Sequence, residues 1–263
     1  MIGRLWAIAL NTFREASRNR VLYGIAVVAF LMMMMAIVLG EMSLHEEARV
    51  ARDVGISGVS LFGALTAIVL GVTLLYGEIQ QRTIHSIVSK PLHRFEFVLG
   101  KYLGMAMMLT VMVAIFTLSM AILFHAQSVA FTSALIKAVV LAYVEVLVVA
   151  AVAVFFSSFS SPYLSGIFTL GVFVLGRSTE AMREAMSSKL SGPLSAGLHS
   201  GLAIVPDLHL FSISGSQVNG HLVTVHSDFV SWGYVAMASG YGALYIGAML
   251  LLAIIIFSRR DFV

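Results

Sequence analysis

Glu145 stands near the middle of the apolar run Ala142-Tyr-Val-Glu-Val-Leu-Val-Val-Ala150. A carboxylate at that depth of a bilayer costs about 2.5–3.5 kcal/mol on insertion scales, so its side chain has to face protein or water. Two roles meet this demand: a polar contact in a transport path or dimer interface, or a protonated or hydrogen-bonded acid that locks two helices. Other groups offer less chemistry. His45-Glu46-Glu47-Ala48-Arg49 begins like a zinc-protease helix, but Arg49 replaces the second histidine and two-histidine ligation is lost. His85, His93, His199, His209, His221 and His226 show no ligand spacing with carboxylates at matching helical offsets. The chain has no cysteine, which removes thiol nucleophiles, disulfides and Cys-type zinc sites. The successive methionines Met32 to Met35 point around a whole helix and read as packed or lipid-facing filler rather than a thioether metal site. No G-x-x-x-x-G-K-S/T phosphate loop occurs, since Gly100-Lys101 is followed by Tyr102, so ATP hydrolysis is not expected of this chain. Catalytic, cofactor-binding and metal-binding residues are therefore not expected in it.

The elements that hold Glu145 must be membrane helices. Hydrophobic residues make up 59% of the chain and charged ones 11%, against roughly 25% charged in soluble domains. A span needs about 20 apolar residues, and residues 21–39, 56–76, 97–124, 133–156 and 233–257 qualify. Residues 163–176 form a sixth, shorter run. A helix of that length reaches only about 21 Å, so it must continue into residues 177–190, tilt little or be re-entrant. No long charged stretch interrupts the 263 residues, and a single all-α membrane domain spanning 1–263 is expected.

Charge placement then orients the spans. With the N-terminus inside, Arg4, Arg14, Arg18, Arg20, Arg82, Lys90, Arg94, Lys101, Arg259 and Arg260 are cytoplasmic, ten of the sixteen Lys and Arg residues. This bias favours six spans with both termini cytoplasmic. Before the first span, Ile2, Leu5, Trp6, Ala9, Phe13 and Ala16 recur at helical spacing opposite Arg4, Asn11, Arg14 and Arg18. Residues 1–20 therefore read as a basic amphipathic helix in the membrane interface. The outer segment 177–232 is too polar and too interrupted to cross; its part 179–190 reads as an amphipathic surface helix. Residues 201–211, broken by Pro206, either dip into the outer leaflet as a gate or form a packed cap.

The loop between the second and third spans is the most distinctive stretch. Residues 78–90 form a short amphipathic helix with Ile79, Thr83, Ile84, Ile87 and Val88 on its apolar side, stopped by Pro91. The stretch resembles the coupling loop of ABC-2 type permeases, the membrane subunits of one class of ATP-binding-cassette transporters. In that family an acidic residue precedes a Thr-led helix, followed by Ser/Thr-x-Pro, a basic residue and a Gly-Lys that opens the next span. Glu78, Thr83, Ser89, Pro91, Arg94, Gly100 and Lys101 match, while Arg82 stands where many relatives carry glycine. The basic N-terminal segment resembles the family's elbow helix, Ser157-Ser-Phe-Ser-Ser-Pro162 its serine-rich turn, and Ile256-Phe-Ser-Arg-Arg-Asp-Phe262 its C-terminal ending.

The resemblance implies an ABC-2 type permease fold of six transmembrane helices after an interfacial helix, in a bacterial cytoplasmic (inner) membrane. It implies an exporter subunit that pairs with a second permease subunit, as homo- or heterodimer, and with a separate ABC ATPase carrying the ATP and magnesium. Glu78, Arg82, Thr83, Ile84, Ile87, Pro91 and Arg94 would then contact that ATPase, and Glu145 would be the intramembrane polar residue. Lipid is an expected partner and nucleic acid is not. A secondary transporter would need charged or broken helices at repeated midplane positions, where only Glu145 qualifies, and a membrane anchor or sensor would need no ATPase.

Overall fold

The computed structural model describes residues 2–41, 47–80, 93–126, 132–180, 182–183, 205–212, 214–218, 221–224 and 231–259. Among them seven helices carry the fold: α1 Ile2–Ser17, α2 Arg20–Glu41, α3 Glu47–Gln80, α4 Arg94–Ala126, α5 Ser133–Ser157, α6 Pro162–Arg177 and α7 Trp232–Arg259. A 3-10 turn, Leu208–Phe211, and an antiparallel hairpin of β1 Ser214–Val218 with β2 His221–Thr224 lie between α6 and α7. The hairpin departs from the all-helical expectation. The sequence Asn219-Gly220 between its strands is the pair that favours a tight type I′ connection.

Four helices are long and apolar enough to cross a membrane, over Arg52–Thr73, Arg94–His125, Ser133–Ser157 and Trp232–Ser258. The α1 and α2 helices pass that test together, bent by 61° between Gly3–Ser17 and Arg20–Met35, and α6 is apolar but shorter. The bend has a local cause. The Val21 N–H donates to Asn19 Oδ1 at 3.0 Å, so Asn19 caps α2 and ends the run of α1. The Tyr23 hydroxyl donates to the Ser17 carbonyl at 2.7 Å and holds the corner.

Pairwise contacts fix the helix directions. Along α3 and α5 the partners advance together, Gly63 under Val146, Gly71 against Ala153, and Ser157 Oγ donating to the Gly71 carbonyl at 3.0 Å, so these helices run parallel. Thr110 meets Tyr143, whereas Tyr102 reaches the Leu147 carbonyl, so α4 opposes α5. In the same way α6 opposes α3, through Gly166 near Val72 at one end and Arg177 near Ser60 at the other. Phe97 stacks on Phe257, and Arg94 donates to the carbonyls of Phe257 and Ser258, so α7 also opposes α4. From α2 to α7 the helices alternate in direction. Asn19 lies beside Thr73, and Arg94 beside Ser258, which puts the start of α2 and the end of α7 at the same end of the bundle.

The centre of the bundle is α5, which packs on α3, α4, α6 and α7. Its residues Ala150, Ala151, Val152, Ala153 and Val154 are all buried, as expected of a helix apolar on every side. Of the four successive methionines, Met33 packs inward and Met32, Met34 and Met35 face outward, consistent with filler.

The α1 helix lies on α4. Its buried face is Ala9, Thr12 and Ala16, while Trp6 points out. Small residues make the contact close: a Cβ on Gly104 would run into the Ala9 carbonyl and Thr12, and one on Gly100 into Ile8. Lys101, 2% exposed, reaches Glu15 of α1 at 3.3 Å. Replacing Gly104 with leucine should overpack this contact and cost about 1–3 kcal/mol. A lower melting temperature in detergent and faster proteolysis at the α1–α2 corner are expected, and unchanged values would show that α1 does not depend on this notch.

Candidate functional site: a buried ionic node

The carboxylate of Glu145, 1% exposed, is compensated by two partners. Ser60 of α3 donates to its Oε2 at 2.5 Å. Arg177, the last residue of α6, places Nη1 3.2 Å from its Oε1. The same Nη1 donates to Ser60 Oγ at 2.5 Å, so Ser60 accepts from the cation while donating to the anion. Arg177 Nη2 donates to Ser212 Oγ at 3.4 Å, and its guanidinium lies 5.9 Å from the Phe173 ring centroid. Four segments distant in sequence thus converge on one charge pair.

Helix lengths explain why an arginine reaches this depth. Sixteen residues of α6 extend about 24 Å, short of a hydrocarbon core of about 30 Å. The helix starts beside the end of α5, with Pro162 in its first turn, where a missing N–H costs nothing. Climbing from there, it ends level with Glu145, which lies about 18 Å along α5 from Ser133. Charged-group burial then selects the partner, because a buried carboxylate with no counter-charge or donor is far more costly than a satisfied one.

The space above α6 is taken by the descending segment 205–212. Leu208 and Phe211 are buried, and a Cβ on Gly176 would collide with the Pro206 carbonyl and Leu208. The Asp207 N–H donates to the Tyr241 hydroxyl at 3.1 Å, and Phe211 faces the Tyr241 ring. Tyr241 lies about 14 Å along α7 from Trp232, so the segment enters well below the start of that helix. Further polar pairs hold it: Thr179 donates to Asp207 at 2.8 Å, Arg183 pairs with Asp207 at 3.2 Å, and His209 meets Glu180 at 2.9 Å. Tyr234 donates to the Leu210 carbonyl at 2.7 Å. The described part of this outer stretch both dips between the helices and packs as a cap. The short run does not extend as one helix past Arg177: Ser178 leaves helical geometry, and Thr179, Glu180, Met182 and Arg183 resume it.

The expected coupling residues fare differently. Glu78 lies in the last turns of α3, which runs on to Gln80 without a break. Arg82, Thr83, Ile84, Ile87 and Pro91 lie outside the described residues. Arg94 opens α4 and is tied to the end of α7 through two carbonyls, at 3.3 Å and 2.6 Å. The start of α4 is set by Glu96, whose Oε2 accepts the His93 N–H at 3.3 Å, one half of a capping box. The structure brings Arg94 near the end of α7, whereas Glu145 belongs to the separate node some helix turns away. The sequence did not point to Arg177 and Ser60 as partners of Glu145, nor to Ser212 as a partner of Arg177.

A family model for an ABC-2 family transporter protein matches residues 6–262. The chain belongs to that family. No curated protein matches it. As an ABC-2 family member it is a multi-pass membrane protein and a permease component of an ABC transporter, a class of chain that is generally non-catalytic. Within this ABC-2 chain the node ties the central helix α5 to α3, α6 and the outer segment.

The node predicts a ranked set of substitutions. Glu145→Leu strands the Arg177 cation and should cost about 3–5 kcal/mol, as for other broken buried pairs. Glu145→Gln keeps an acceptor for Ser60 and Arg177 and should cost less. Combining Glu145→Gln with Arg177→Met should recover part of what Arg177→Met alone loses. Thermal unfolding in detergent reads the order; equal loss for Gln and Leu at position 145 would contradict the pairing.

Proposed function

We propose that this chain forms one half of the membrane path of an ABC exporter, working with a second permease subunit and a separate ATPase. The family match across nearly the whole chain carries this reading. Export is the direction the family resemblance implies. The alternating directions of α2 to α7 support six crossings, with α6 and the segment 205–212 together filling one of them. The common end of α2 and α7 supports both termini on one side, and the Lys and Arg bias makes that side cytoplasmic. A bacterial inner membrane is the location this arrangement suits. The α1 helix serves as the interfacial elbow, with Arg4, Arg14 and Arg18 toward headgroups.

In this reading residues 78–90 are the coupling helix. An amphipathic stretch between two spans is marginal in water alone and needs a surface to pack against. The ATPase supplies it: Ile84 and Ile87 make the apolar contact, and Glu78, Arg82 and Arg94 flank it. ATP and magnesium sit on that partner, whose closure pushes the loop. The unbroken α3 carries the displacement from Glu78 toward Ser60, and the bundles shift against one another to alternate access.

Two experiments test the reading. The natural absence of cysteine allows single-cysteine labelling: Ser43→Cys and Ser187→Cys should react from outside, and Ser86→Cys only after the membrane is opened. Residues 86 and 187 on the same side would refute six crossings. Separately, an ATPase should co-purify with the wild-type chain, and Ile84→Asp with Ile87→Asp should abolish that association, or uncouple hydrolysis from transport, while leaving insertion intact. Normal association and transport in the double variant would remove the coupling assignment, and transport without any ATPase would point to a secondary transporter.

A further inference from the structure

Arg177 differs from the other members of the node in one respect: it alone touches both the helix bundle and the outer segment. Glu145 and Ser60 sit on α5 and α3, two helices packed closely and in parallel through Gly63 and Gly71. Ser212 belongs to the descending segment. Arg177 bonds to all three, and it is 28% exposed where Glu145 is 1% exposed. It also stands at the end of α6, next to Gly176, on which Pro206 and Leu208 rest. The 3-10 turn of the segment also packs on α5 and α6, and its other polar contacts run to Thr179, Glu180 and Arg183 beyond α6 and to Tyr234 and Tyr241 of α7. Arg177 ties the segment by a charge-assisted bond to the buried pair of Glu145 and Ser60.

We propose that Arg177 is the positioning residue of an outer closure: it latches the segment 205–212 over the bundle by bonding Glu145 and Ser60 below and Ser212 above. This rests on the reading of the chain as a permease whose outer face must open to release cargo. A guanidinium suits the task because its planar fork can serve several acceptors at fixed angles, which a compact ammonium cannot. Ser60 makes the latch responsive to α3, since any slide of that helix along α5 disturbs both its bond to Arg177 and its bond to Glu145. The closed arrangement is thus held by few, directional contacts, the kind that can be exchanged for water without dismantling the packed helices beneath.

The test uses buried reporters in the cysteine-free full chain. Val148 of α5 is buried one turn below Glu145 and shares the surroundings of Gly242 with Phe211 of the segment; Leu70 of α3 is buried elsewhere in the bundle. In membrane vesicles with a membrane-impermeant maleimide on the outer side, Val148→Cys should label slowly. Adding Arg177→Gln should accelerate labelling at least about tenfold, the least expected when a charge-assisted bond that gates local opening is lost. Adding Arg177→Lys instead should leave much of the acceleration in place, because an ammonium keeps the charge opposite Glu145 but cannot serve Ser60 and Ser212 at the same time. Leu70→Cys should stay protected in both. An unchanged rate at Val148→Cys with Arg177→Gln, equal acceleration at Leu70→Cys, or full rescue by lysine would each overturn the latch. The assay needs neither ATPase nor cargo, so failure of ATPase association would sink the transporter reading while leaving this result intact, and the reverse also holds.

Discussion

A carboxylate that water cannot reach has to be neutralised or bonded by the protein around it, and this requirement organises the outer half of the bundle. Glu145 sits on the helix that every other spanning element except α2 packs against. Satisfying it takes a hydroxyl from α3 and a cation from α6. The cation in turn has donors to spare, and one of them reaches the segment that covers α6. Because α6 is too short to carry Arg177 past the hydrocarbon region, the depth of the charge pair, the length of α6 and the descent of residues 205–212 are one geometric fact rather than three. A longer α6 would lift Arg177 into water and leave Glu145 unpaired.

The inner half depends on a different device. Here the close approaches are made by glycine and alanine: α1 on α4 through Gly100 and Gly104, α3 on α5 through Gly71 and Ala153. In lipid, helices gain nothing by hiding apolar surface from water, so association relies on tight van der Waals contact and on polar bonds between helices. Both appear together at α1, where the glycine notch admits the helix and Lys101 finds Glu15. A lysine counted by charge patterning as part of the cytoplasmic fringe is therefore a buried anchor of α1, a role visible only once α1 packs on α4.

Hydropathy gave access to most of the helices, because their apolar length is a direct consequence of bilayer thickness. Asn19 marks the corner between α1 and α2 by a capping preference that the chain carries openly. Glu145 stood out for its cost, yet its partner did not, since Arg177 falls 32 residues later at the edge of a segment assigned to the outside. A usable signal was present: a fourteen-residue apolar run that begins beside a serine-rich turn cannot reach the far surface, so the basic residue ending it must stop within the membrane. The hairpin had its signal too, in Asn219-Gly220, which was lost among surrounding polar residues. The contacts of Ser60 and Ser212 had none, because serines in apolar helices commonly bond their own backbone, as Ser119 does with Ile115.

An apolar node of the same volume would hold the helices as well or better, since replacing a buried ion pair by packed hydrophobic groups is often neutral or stabilising. What apolar contact does not supply is register. Alanine and valine rows on α3 and α5 offer near-equivalent packing when one helix slides by a turn, about 5.4 Å. A slip of that size breaks the bonds Ser60 makes to Glu145 and Arg177, and pulls the glycine notches at Gly63 and Gly71 away from Val146 and Ala153. Directional bonds and the glycine notches therefore penalise displacement at one setting of the helices, whereas the remaining apolar rows penalise it less. A bundle that must move between two arrangements needs that combination: surfaces that tolerate sliding, and a charged contact that defines where sliding stops. The node supplies the stop at the depth where the outer segment meets the bundle, so the setting of α3 and the position of the outer cover are fixed by the same few atoms.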